Sequence, residues 1–129
     1  MTGKGDFSDI PVDVLDISQA IEQVGGEFND LIEILWLYIN HAPSLADEIR
    51  EGLSANNSKQ VHKAAHTLKG SSSNIFAGKI QRIAAQIEKN ASKGDLEKVT
   101  EEIKALEREI DEFRIVYQKL NGEIREPDD

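Results

Sequence analysis

The chain has no cysteine, too few basic residues to balance its acidic ones and no long apolar run, and each shortage closes off a class of function. Without cysteine there is no disulfide framework, no thiol nucleophile and no thiolate metal site, which suits a reducing cytosol without requiring one. Basic residues are outnumbered, 15 Lys and Arg against 24 Asp and Glu, for a formal charge of −9. Such a chain lacks the clustered cations that nucleic acid or an anionic membrane demands. The most apolar stretch, Leu31 to Ile39, contains a carboxylate and falls far short of the roughly 20 residues of a membrane span, so it is expected to be a buried core segment. Met1 to Asp9 is polar and Gly-containing and lacks the basic-then-apolar order of a secretory signal. It is expected to be disordered, and the protein cytoplasmic. At 129 residues the chain has room for one core and one domain.

What is present reads as helix. Apolar residues recur at spacings of three and four almost throughout, and strand-like alternation appears at no convincing length. Asp16 is placed to cap a first helix through Gln19, with Ile17, Ala20, Ile21 and Val24 on one side and Gly25-Gly26 as the stop. Phe28, Leu31, Ile32, Leu35, Tyr38 and Ile39 continue the pattern. Pro43 interrupts it, yet Leu45, Ile49 and Leu53 carry it on, as one kinked helix or two abutting ones. After the Asn56-Asn57-Ser58 turn, with Ser58 as candidate cap, a helix from Ser58 to about Ile75 aligns Val61, Ala64, Ala65, Leu68, Ser72 and Ile75. The next, from Ala77 to about Ser92, uses Ile80, Ile83, Ala84 and Ile87. Gly94 ends that connection and Asp95 can cap the last helix. Its seam, Leu96, Val99, Ile103, Leu106, Ile110, Phe113, Tyr117 and Leu120, has coiled-coil spacing. The expected fold is all-α: an antiparallel four-helix bundle with a short extra N-terminal helix, spanning residues 10–121. A charged tail, residues 122–129, is expected to fray beyond Asn121-Gly122.

One helix carries chemistry. On a helical wheel with Val61 at zero, the apolar residues of the Ser58 helix fall within about 60° of zero, while His66 lies at about 140° and Gly70 at about 180°. Lys59, Ser73, His62 and Lys69 share that polar side. An imidazole thus projects outward beside an ammonium, on a surface stripped of bulk. A glycine inside a helix costs about 1 kcal/mol against alanine. Gly70 therefore reflects either packing tolerance or close approach by a partner or a phosphoryl group.

The run Ala65-His66-Thr67-Leu68-Lys69-Gly70-Ser71-Ser72 resembles the active-helix motif of histidine-containing phosphotransfer domains: His, any residue, Leu, Lys, Gly, then two small residues. The lead-in Ile17 to Leu31, with Ala20-Ile21 and Gly25-Gly26, and the segment Ala42-Pro43-Ser44-Leu45 are similar to that family's opening and second helix. Coverage is about Ile10 to Leu120. One position departs: members usually carry glycine ten residues after the histidine, whereas Phe76 stands there and Gly78 follows two later.

The resemblance implies a phosphoryl carrier with no nucleotide site and no cofactor of its own. His66 would accept the phosphoryl group through Nε2 from the phospho-aspartate of a receiver domain, which brings the Mg²⁺, or from a partner hybrid or sensor histidine kinase. It would then pass the group to another receiver in a two-component phosphorelay. An imidazole's ordinary pKa near 6.5 leaves roughly three-quarters of it neutral and nucleophilic at pH 7. Lys69 would compensate phosphoryl charge and Gly70 would admit the group to the helix backbone. Glu88, where the family has Gln or Glu, is either an acceptor for Nδ1–H that sets the tautomer or an ordinary surface carboxylate. Lys59, His62, Lys63 and Ser73 would meet the receiver, and His41, near Pro43, would be structural. Met1 and the charged ending favour a separate chain over a kinase-attached module.

Three other readings stand beside this one. His62 and His66 have metal-binding spacing, but Lys63 occupies the place where the zinc protease motif has Glu, so no metal is expected. Gly70 to Lys79 superficially resembles a phosphate loop, but the glycine spacing is wrong and Ile80 replaces the required Ser or Thr. A non-catalytic adaptor dimerising through the Leu96 to Leu120 seam is the remaining alternative.

Overall fold

The computed structural model describes residues 7–124. Five helices follow in order: α1 (Ile17–Gln23), α2 (Phe28–Ser54), α3 (Ser58–Asn74), α4 (Gly78–Ser92) and α5 (Leu96–Ile124). The long helices pack in a closed ring, α2 on α3, α3 on α4, α4 on α5 and α5 back on α2, with short turns between successive members. This is the antiparallel four-helix bundle expected, with α1 as the short extra helix against α2. Among the described residues, no helix is long and apolar enough to cross a membrane.

The caps explain most of the boundaries. Asp16 accepts from the Gln19 N–H at the start of α1, and Asp95 accepts from the Lys98 N–H at the start of α5. For α3 the cap is Asn57, whose side chain accepts from the Gln60 N–H; Ser58, the expected cap, is already the first helical residue. The α2 helix runs unbroken through Pro43, so the kinked-or-abutting alternative resolves to one helix. Its tight junction with α3 rests on Gly52, where a Cβ would stand 2.7 Å from a Val61 methyl.

The core is a single cluster drawn from all five helices and the segment before α1, with Leu31, Leu35, Ile49, Leu68, Ile80, Ile87, Leu106 and Phe113 fully buried. Tyr38 meets Phe113 edge to face at 5.0 Å, and its hydroxyl lies 2.6 Å from Ser72 Oγ, tying α2, α5 and α3 together. Burial is what pushes the Tyr38 phenol above its ordinary pKa. The α5 seam is spent inside the bundle: Val99, Ile103, Leu106, Ile110, Phe113 and Leu120 are buried, with Val116 beside them. A dimer built through that seam would first have to open the core.

Three further expectations need correction. Leu31 to Ile39 is only half core: Leu31, Ile32, Leu35, Tyr38 and Ile39 are buried, but Trp36 is 53% and Leu37 61% exposed, because a helix at the rim of a bundle buries one face only. Asn121 and Gly122 do not end α5, which continues to Ile124. At the other end, Phe7 to Asp9, expected within the disordered 1–9 segment, form a turn: Phe7 O accepts from the Ile10 N–H, the Phe7 ring stacks on Phe28, and Asp9 pairs with Lys119 at 2.9 Å. The remainder of both expected tails, residues 1–6 and 125–129, lies outside the described residues.

The turn between α3 and α4 contains Phe76 with φ +62°. The Ala77 N–H bonds Ser72 O and the Phe76 N–H bonds Ser73 O, the two hydrogen bonds of a Schellman cap, which needs a left-handed residue where Phe76 stands. Glycine adopts that conformation without strain, and phenylalanine does not. The turn persists because it is held from outside: Phe76 O accepts from the Asp16 N–H at 3.0 Å, the Lys79 N–H bonds Asp13 O at 2.7 Å, and the Phe76 ring packs on the core.

Candidate functional site

The α3 helix buries Val61, Ala64, Ala65, Leu68 and Ser72 against its neighbours, and this fixes what its other side presents. Lys59, Lys63, His66, Gly70 and Ser73 are all exposed, as the wheel predicts, and the His66 side chain is 64% accessible. A Cβ built at Gly70 meets nothing within 4 Å. No neighbouring side chain or backbone requires glycine at this position, and the space one turn beyond His66 is open.

Glu88 reaches this face from α4. It sits 22 residues beyond His66 in sequence, yet its Oε2 accepts from His66 Nδ1 at 2.7 Å and its Oε1 lies 2.7 Å from Lys69 Nζ. The Glu88 side chain is only 15% exposed and bridges two α3 residues. Hydrogen bonding from Lys69, reinforced by His66, holds its carboxyl below the usual carboxylate range against the opposing effect of burial. With Nδ1 carrying the proton toward Glu88, the other ring nitrogen, Nε2, keeps its lone pair.

Of the expected site residues, the structure brings His66, Lys69 and Glu88 into one hydrogen-bonded group and adds His62, whose Nε2 is 3.6 Å from Glu88 Oε2. The His62 and His66 rings are nearly parallel, 5° apart, with centroids separated by 6.3 Å. Lys59, Lys63 and Ser73 stay outside this group. Lys59 and Lys63 form no ion pair among the described residues, so their charges face solvent. Among the described residues no group of three or more His, Asp or Glu side chains is placed to hold a metal ion. Ser71 donates to Leu68 O and Ser72 to or from Tyr38, which leaves both as packing residues. His41 is exposed and lines a groove between α2 and α3 with Ile34, Leu37, Ser71 and Asn74, a feature that helical periodicity did not single out.

This fold has relatives. The Hpt domain family profile matches residues 33–115, and the chain belongs to the Hpt domain family. The chain is therefore a phosphocarrier of histidine phosphotransfer in two-component phosphorelays. Histidine-containing phosphotransfer protein B from Pseudomonas aeruginosa PAO1 has the same fold, with a TM-score of 0.77 over 82% of this chain and 92% of that one at 22% identity. The HPT domain of a sensor hybrid histidine kinase from Shewanella superposes with a TM-score of 0.73 over 85% of this chain and 95% of that one at 20% identity. No curated protein sequence matches the chain.

Proposed function

We propose that His66 is the phosphoryl acceptor, taking the group from a receiver-domain phospho-aspartate or from a hybrid or sensor kinase and passing it to another receiver. The observation that carries this reading is the 2.7 Å contact between His66 Nδ1 and Glu88 Oε2, which supports the tautomer with a free Nε2 on an exposed ring. In the forward step the Nε2 lone pair attacks phosphorus, the bond from phosphorus to the aspartyl oxygen breaks, and the electron pair leaves on the carboxylate. Such transfer asks the carrier for position and charge compensation rather than for bond-making groups of its own.

Lys69, tethered to Glu88 Oε1 in the resting protein, supplies positive charge to the incoming phosphoryl oxygens. Gly70 leaves room for them. Lys59, Lys63, His62 and Ser73 form the surface on which the receiver docks, and the receiver brings the Mg²⁺ the transfer uses. The chain needs no cofactor or nucleotide in this scheme. Incubation with a phosphorylated receiver domain tests it: an acid-labile, alkali-stable label is expected that still forms in His62→Gln and is absent in His66→Gln. A label retained by His66→Gln refutes the assignment.

A further inference from the structure

Glu88 meets α3 with two oxygens that do different things. Oε2 accepts from His66 Nδ1 at 2.7 Å, while Oε1 lies 2.7 Å from Lys69 Nζ. Among the described residues Lys69 has no other carboxylate partner, and the Glu88 side chain is too enclosed for water to replace a lost ammonium fully. The phosphoryl group arriving on His66 Nε2 needs that same ammonium. One cation therefore faces two anions, and in the resting protein the carboxylate already holds it.

We propose that Glu88 is a positioning residue acting through Lys69: by competing for the ammonium, its carboxylate keeps the phosphoryl group on His66 ready to leave instead of stored. The inference rests on His66 being the acceptor. Forming the nitrogen–phosphorus bond with Nδ1–H retained puts one positive charge on the ring beside Oε2, which favours the loaded carrier. It also sets a group of roughly −1.5 to −2 charge on the same face as the carboxylate and draws Lys69 away from Oε1. The two unfavourable changes carry the larger charge and cost a 2.7 Å contact, so the carboxylate raises the free energy of the loaded form. On departure an aspartate oxygen of a receiver attacks phosphorus, the nitrogen–phosphorus bond breaks and its electron pair returns to Nε2. Lys69 then goes back to Oε1.

Glutamine separates the two roles. Its amide oxygen accepts from Nδ1 as Oε2 does, while its amide nitrogen is a donor and cannot hold an ammonium where Oε1 did. Carrier and receiver are mixed in dilute solution, with the label starting on either one, and followed to a constant ratio of phosphorylated carrier to phosphorylated receiver. That ratio compares the separate proteins, so docking and the speed of transfer drop out of it. A role confined to orienting the ring would leave it unmoved. In Glu88→Gln the ratio should rise about three- to fivefold, the upper end for a solvent-accessible ion pair. In the Lys69→Met background, where nothing remains to compete for, the same Glu88 substitution should change the ratio by less than about twofold. A ratio that is unchanged or lowered in Glu88→Gln overturns the inference, as does an equal rise in both backgrounds. Label surviving in His66→Gln overturns instead the acceptor assignment beneath it.

Discussion

Gly70→Ala should make the protein more stable and a worse phosphoryl carrier, a pair of opposite signs that separates function from folding. Gly70 lies inside α3, four residues from its last helical residue, so its replacement gains the ordinary helix-propensity difference of about 1 kcal/mol. Nothing offsets this gain, because the added Cβ meets no atom within 4 Å. For a chain of this size the midpoint of thermal unfolding should rise by about 4 °C. The same methyl group occupies the open space one turn beyond His66, where the proposed phosphoryl oxygens approach the helix. A displacement near 1 Å at a reacting centre costs up to about 100-fold, so transfer from a phosphorylated receiver should fall by about 10- to 100-fold. Urea titration followed by circular dichroism gives the first quantity and quenched-flow labelling the second. A destabilised variant, or one that transfers at the wild-type rate, would refute the reasoning, since the glycine would then serve the fold or nothing.

Two more predictions concern the elements around this face. Phe76→Gly should be more stable than Phe76→Ala by about 1 kcal/mol in urea unfolding, because both lose the ring's packing but only glycine relieves the left-handed backbone at φ +62°. Equal stabilities would show that the turn relaxes when the ring is removed. For Glu88, whose folded-state pKa is lowered chiefly by its hydrogen bond from Lys69, the sign of the linkage is fixed: its stabilisation is complete above the ordinary carboxylate value of 4.5 and is lost as the pH falls through the lower folded value. The stability difference between wild type and Glu88→Gln should therefore close as the pH falls below 4.5, as read by denaturant midpoints; a difference that widens below pH 4 would contradict this.

Periodicity served the fold well because a helix's buried stripe is a property of its own sequence, and the exposed face of α3 followed by subtraction. In Leu31 to Ile39 the stripe Leu31, Ile32, Leu35, Tyr38 and Ile39 is legible at helical spacing and is buried, whereas the overall apolarity of the run places Trp36 and Leu37 in a core that has no room for them. At the α3 start, Asn57 and Ser58 are both good caps, and their order along the chain does not decide which one adopts the non-helical conformation. Phe76 marked its turn only by departing from a family pattern. The Schellman turn that requires its positive φ is held in place by the hydrogen bonds from Asp16 to Phe76 O and from Lys79 to Asp13 O, contacts distant in sequence. The Glu88 geometry depends on how α4 is rotated against α3, which no pattern within either helix specifies. Only the family resemblance pointed to Glu88, and nothing pointed to the oxygen it presents to both imidazoles.

The electrostatics of the site follow from where the charges stand, and the net value of −9 is a poor guide to them. The α5 helix, rich in Glu, packs on α2 and α4 and lies diagonally across the bundle from α3. With neighbouring helix axes 8–10 Å apart, that diagonal is about 13 Å, longer than the screening length of about 8 Å at physiological salt. The face around His66 is therefore governed by its own residues, and there the count is Lys59, Lys63 and Lys69 against Glu88. Lys69 and Glu88 cancel while they remain paired at 2.7 Å, leaving Lys59 and Lys63 as the uncompensated charges. A phosphoryl group adds roughly −1.5 to −2 at pH 7. On the proposed reading Lys69 then has two anionic partners within reach, so the face carries a modest positive charge before transfer and a near-balanced one after it. Attraction to an acidic receiver pocket should accordingly be stronger for the unphosphorylated carrier, and raising the salt concentration should weaken receiver binding more for that form than for the phosphorylated one.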